Sequence, residues 1–69
     1  MIEKGIYKHY KGNLYEVIDV ANHSETLEKM VVYRALYGDM ELWVRPIEMW
    51  NEIILLPNGQ KVLRFEKVK

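Results

Sequence analysis

The sequence predicts a mainly-β domain, a small antiparallel barrel of five to six strands with one short helical turn near Pro46–Trp50. Turn-forming clusters recur at intervals of about 8–12 residues, the spacing of a small all-β domain. The segments between them are rich in Val, Ile and Tyr, which suit a pleated, half-buried surface. The one segment of different character is Pro46-Ile47-Glu48-Met49-Trp50.

The first strand is expected over residues 5–10 and ends at Lys11-Gly12-Asn13. The second runs over residues 14–21. Tyr15 and Val17 fall on one of its faces and Ile18 and Val20 on the other. A β-bulge near Asp19 would carry Tyr15, Val17 and Val20 to the same side. After the polar stretch Asn22–Thr26, the clearest strand covers residues 30–37, with Met30, Val32, Arg34 and Leu36 alternating against Val31, Tyr33, Ala35 and Tyr37. Gly38-Asp39 turns the chain into a short fourth strand over residues 42–45, where Trp43 and Arg45 share a face. Pro46 suits the start of a helical turn, and Ile47 and Trp50, three apart, share its face. A fifth strand, residues 52–56, is joined to a sixth, residues 61–65, by Pro57-Asn58-Gly59. Asn-Gly readily adopts the positive φ angles of a tight hairpin. Short antiparallel strands of this kind suit an SH3-like barrel, in which strong bending removes much of the exposed edge.

The chain of 69 residues is read as a single domain, residues 1–69. A domain of this size buries only about 60% of its unfolded surface. A 49% hydrophobic content with two Trp, five Tyr and one Phe supplies the core and argues against disorder. With no cysteine, a disulfide scaffold and a thiolate zinc site are excluded. No apolar leader segment is visible at residues 1–5, and the longest apolar run, Ile53–Leu56, is far too short to cross a bilayer. A cytoplasmic location without membrane contact is expected. The formal net charge of zero disfavours long duplex nucleic acid as a partner, because phosphate contacts dominate such binding.

Several stretches together carry a resemblance. Gly5-Ile6-Tyr7-Lys8-His9-Tyr10-Lys11-Gly12 is followed by Tyr15-Glu16-Val17, then Ala21-Asn22-His23-Ser24-Glu25-Thr26 and Val31-Val32-Tyr33-Arg34-Ala35-Leu36-Tyr37-Gly38. Trp43-Val44-Arg45-Pro46 precedes Met49. From residue 5 to about residue 65 the chain resembles the bacterial family known as domain of unknown function 1653. The resemblance implies an SH3-like barrel and brings no activity with it.

Two constellations are candidates for chemistry. His23-Ser24-Glu25-Thr26 places a base, two hydroxyls and a carboxylate in four residues. Nucleophilic catalysis needs a serine activated by an oriented histidine, and adjacent side chains on a strand point apart. The plainer account is a loop whose Ser, Thr and Glu side chains bond their own backbone and fix the hairpin. Arg34, Trp43 and Arg45 form the second set. An Arg on an aromatic face can stack and still present its fork to an anion; alternatively Trp43 is core and Arg45 pairs with Glu25 or Asp39. The tyrosines suit the rim of a small core or, in the other reading, a stacking platform. His9 and His23 with Glu25 lack the short spacing of a metal site, no glycine-rich phosphate loop is present, and no cofactor is expected.

The chain is therefore expected to be a binding module and not an enzyme. A groove lined by His23, Ser24, Glu25, Thr26, Tyr33, Arg34, Trp43 and Arg45 would take a peptide, a single-stranded nucleic acid or a small anion. The alternative is a structural domain acting as a homodimer through Met49, Trp50 and residues 53–56, because small domains gain stability by association.

Overall fold

Val31, Tyr33 and Ala35 are buried while Met30, Val32 and Arg34 are only half-buried, so the third strand has one inward face despite apolar residues on both. This strand is the second-from-edge member of a five-stranded antiparallel sheet in the computed structural model, which describes residues 2–69; Met1 lies outside the described residues. The strands are β1 (Gly5–His9), β2 (Leu14–Asn22), β3 (Lys29–Ala35), β4 (Leu42–Pro46), β5 (Ile53–Leu55), β6 (Lys61–Leu63) and β7 (Phe65–Lys67), with a helical turn α1 (Ile47–Trp50) between β4 and β5. The main sheet has the order β4-β3-β2-β1-β7, and β5 and β6 form a separate hairpin.

The chain is thus mainly β with a single helical turn among the described residues, as the sequence predicts. Among the described residues there are seven strands, and the main sheet is open, with β4 and β7 as its edges. Aromatic side chains bridge the gap that backbone pairing leaves. Trp50 of α1 stacks on Phe65 of β7, with centroids 3.7 Å apart and planes 2° from parallel. It also meets Tyr33 of β3 at 4.9 Å and Tyr7 of β1 at 5.4 Å, both edge-on. Val17 and Val31 complete the core.

The expected sixth strand is two. Lys61–Leu63 pairs with β5, whereas Phe65–Lys67 pairs with β1. Arg64 is the switch between them. Its N–H donates to the Glu52 carbonyl beside the hairpin, its C=O accepts from Tyr10 N–H on the main-sheet side, and its guanidinium is ion-paired with Glu52. Swinging away at Arg64 lets Phe65 reach Trp50.

The bulge in β2 lies between Val17 and Asp19, where the register against β3 shifts by one. Val17 faces Tyr33 before it and Val20 faces Val31 after it, so both lie on the inner side, as expected. Gly5 has φ +145°, and a Cβ there would lie 2.5 Å from the Lys69 carbonyl oxygen, the atom that accepts from Ile6 N–H. Only glycine permits this approach.

Candidate functional site

The register of β3 and β4 decides which candidate residues meet. Tyr33 lies opposite Trp43 and Val31 opposite Arg45, and directly opposed residues share a face. Tyr33, Trp43 and Arg45 therefore all lie on the inner, concave side. Arg45 sits over the Phe65 ring, 5.6 Å from its centroid, with its Nε 3.5 Å from the Tyr33 hydroxyl. It pairs with neither Glu25 nor Asp39; the ion pair found among the described residues is Arg64–Glu52.

Arg34 goes elsewhere. It lies opposite Leu42 and Glu16 on the convex side, and its Nη1 donates to the Met40 carbonyl at 2.7 Å. Met40 has φ +53°, an unusual backbone for a non-glycine residue. Arg34 thus fastens the β3–β4 turn. His23, Ser24, Glu25 and Thr26 form the β2–β3 turn beyond the Asn22–Lys29 pair. Lys29 and Arg34 are five residues apart on β3, roughly 17 Å at the usual strand rise. The expected eight-residue groove is therefore split. Within the turn, the His23 Nδ1 accepts from the N–H groups of Glu25 (3.2 Å) and Thr26 (3.3 Å), and the Thr26 hydroxyl accepts from Glu28 N–H. Ser24 and Glu25 are exposed, and no catalytic pairing of Ser24 with His23 is formed. Of the Ser, Thr and Glu side chains expected to bond their own backbone, Thr26 does so; the other acceptor in the turn is His23.

What the concave face does assemble is an aromatic rim. The Tyr15 and Tyr37 hydroxyls are 2.8 Å apart, and the Tyr15 ring meets Tyr33, Tyr37 and Phe65 edge-on at 5.5–5.6 Å. Burial, then the Tyr37 hydrogen bond, pushes the Tyr15 phenol up to about 12, so it stays protonated at neutral pH. His9 packs against Phe65 at 4.9 Å. Burial lowers its pKa, helped by the positive charges of Arg64, Arg45 and Lys11. Its Nδ1 accepts from Lys11 N–H, so in the neutral ring the proton sits on Nε2.

At the outer end of this rim Trp43 is 51% exposed and Tyr37 47%. Between them is a hollow of about 120 Å³, based on Ala35 and edged by Asp39, Met40 and Glu41. The Gly38 φ of +58° and the Met40 N–H to Tyr37 C=O bond fold the turn back so that these residues gather. Tyr37, Asp39 and Glu41 are not among the site residues the sequence predicts; their nearness to Gly38 marks a turn, but only the register brings Trp43 beside them.

A larger cleft of about 460 Å³ lies where the β5–β6 hairpin leans on the sheet, lined by residues including Lys8, Tyr10, Leu56, Lys61 and Glu66. His9, which also lines it, is held by the Lys11 N–H bond to its Nδ1, whereas Lys8, Lys61 and Glu66 make no side-chain hydrogen bond among the described residues. No group of three potential metal ligands occurs among the described residues. Nor is any helix there long and apolar enough to cross a membrane. Trp50, expected in an exposed apolar patch, is core at 1% exposure, because its ring is the part that closes the open side of the sheet.

No curated protein matches the chain. A crystal structure of a DUF1653 protein from Bordetella bronchiseptica superposes with a TM-score of 0.88 at 35% identity, covering 97% of this chain and 87% of that one. The sequence profile of "Protein of unknown function (DUF1653)" matches residues 5–67. With nearly its whole length matched and its fold shared, the chain belongs to the DUF1653 family.

Proposed function

We propose that this domain is a peptide-binding module that takes a cationic side chain into the hollow between Tyr37 and Trp43. The observation that carries the reading is two half-exposed aromatic rings and two carboxylates, Asp39 and Glu41, around one hollow. Aromatic faces attract a cation through their quadrupole, and the carboxylates add charge of the right sign. The same carboxylates oppose a phosphate backbone, which favours a peptide over a nucleic-acid strand. Further along the concave face, Arg45 keeps its guanidinium over Phe65 and can meet a carboxylate of the same peptide. Recognition on a turn held by a rigid sheet is a common arrangement. The domain carries no catalytic step in this reading and works in the cytoplasm, where a cysteine-free chain is at home.

The test is an NMR amide titration of the labelled domain with lysine-rich, acidic and neutral peptide pools and with short single-stranded RNA. The basic pool is expected to shift residues 37–43, and Trp43→Ala to weaken binding about five- to tenfold, as loss of a partly exposed cation–π contact would. Shifts produced by RNA or by acidic peptides alone, or centred on residues 23–26, would overturn the reading.

A further inference from the structure

The two edges of the main sheet are unlike. The β7 edge carries Glu66 and Lys67, charges that discourage strand addition. The β4 edge, Leu42-Trp43-Val44-Arg45-Pro46, carries one charge, and Leu42, Trp43 and Val44 are 52%, 51% and 59% exposed. No bulge interrupts its register with β3.

The hydrogen-bond phase of this edge follows from one contact. In an antiparallel ladder, alternate residues turn both N–H and C=O toward the neighbour, and the residues between turn both away. Ala35 N–H donates to Glu41 C=O at 3.1 Å. Glu41, Trp43 and Arg45 therefore address β3, while Leu42, Val44 and Pro46 direct their backbone groups outward.

We propose that this edge pairs with the β4 edge of a second copy of the chain, antiparallel about a two-fold axis at Val44, giving one sheet continuous across the dimer. The register is self-complementary. Each Val44 N–H donates to the Val44 carbonyl of the other copy, and each Leu42 N–H to the other Pro46 carbonyl. Pro46 has no N–H to leave unpaired, and proline at the end of an edge strand limits further pairing. On the concave side Trp43 of each copy lies opposite Arg45 of the other, a cation–π pair formed twice. On the convex side Leu42 meets Pro46, and Val44 meets its own counterpart. The one charge on the edge thus faces an aromatic ring and never its like, and the isologous contact closes on itself. The pairing engages Trp43 and Arg45, which the ligand reading also uses, so a dimer and a peptide compete for these side chains; Val44 and Leu42 lie on the opposite face, so their substitution reports on the dimer alone.

The contact is small, below the roughly 1,200 Å² of a standard stable interface, so the dimer is concentration-dependent. Sedimentation equilibrium from about 10 µM to about 1 mM, the range matching such an interface, is expected to show mass rising from 8.3 kDa toward twice that value. Val44→Lys places two ammonium groups on the axis and should weaken association more than tenfold, with an unchanged circular dichroism spectrum. Val44→Pro removes only an outward N–H and should do the same. The chain has no cysteine, so Val44→Cys should oxidise to a covalent dimer faster than Leu63→Cys on the exposed hairpin. A wild-type mass of 8.3 kDa throughout, association unaffected by Val44→Lys, or equal cross-linking of the two cysteine variants would overturn the proposal.

Discussion

Trp50→Ala should remove most or all of the stability of this domain. At about 0.05–0.15 kcal/mol per residue, 69 residues are stable by about 3.5–10 kcal/mol. Truncating a buried Trp or Phe to Ala costs about 3–5 kcal/mol. Trp50 belongs at the upper end, because it is 1% exposed and its ring touches Phe65, Tyr33 and Tyr7, from three different strands. Each aromatic pair adds about 0.5–1.5 kcal/mol beyond area alone. With a urea slope of about 1 kcal/mol/M for a small domain, the midpoint should fall by about 3 M or more, or the protein should be unfolded in buffer. Trp43→Ala is the control, since that ring is half exposed and outside the core, and it should cost under about 1 kcal/mol. Urea unfolding followed by far-ultraviolet circular dichroism compares the two. A Trp50→Ala loss below about 1 kcal/mol, or equal losses for the two variants, would refute the view that Trp50 closes the open side of the sheet.

Gly5→Ala should destabilise by about 1–3 kcal/mol, since a Cβ at φ +145° would lie 2.5 Å from the Lys69 carbonyl oxygen; thermal unfolding reads the loss. The lowered pKa of His9 makes stability depend on pH. The unfolded chain takes up this proton near pH 6.5 and the folded one only at lower pH, so the contribution is complete above about pH 6.5 and is lost as pH falls through the folded value. Between about pH 7 and 5 the stability of a His9→Gln variant should therefore slope less than that of the wild type. His23→Ala should cost about 1 kcal/mol by leaving the Glu25 and Thr26 N–H groups without their acceptor, and should leave the amide shifts of residues 37–43 under basic peptide unchanged.

The strands were legible because their signals are local. Asn58-Gly59 and Lys11-Gly12 specify turns through backbone preferences carried by single residues. The β2 bulge was legible too, since the apolar positions of residues 15–20 fit one face only if a residue is inserted. Pro46 and the Ile47–Trp50 spacing gave away the helical turn. The candidate site was legible in part. Trp43 and Arg45 share a face by strand alternation alone, but whether Tyr33 or Arg34 joined them depended on the register between β3 and β4. A shift of one residue exchanges the two, and nothing local sets it. Distance along the sheet was equally hidden, so residues 23–26 could be grouped with Trp43 although they sit at opposite ends of β3. The break at Arg64 and the burial of Trp50 form one tertiary decision: a lone strand over residues 61–65 could not pair with β5 and also deliver Phe65 to β1. The sequence by itself determined where the chain turns, which short segments extend and that aromatic rings would fill the core. Only the tertiary structure decided which rings became core and which stayed at the surface, because that choice rests on long-range pairing between strands rather than on any preference within one.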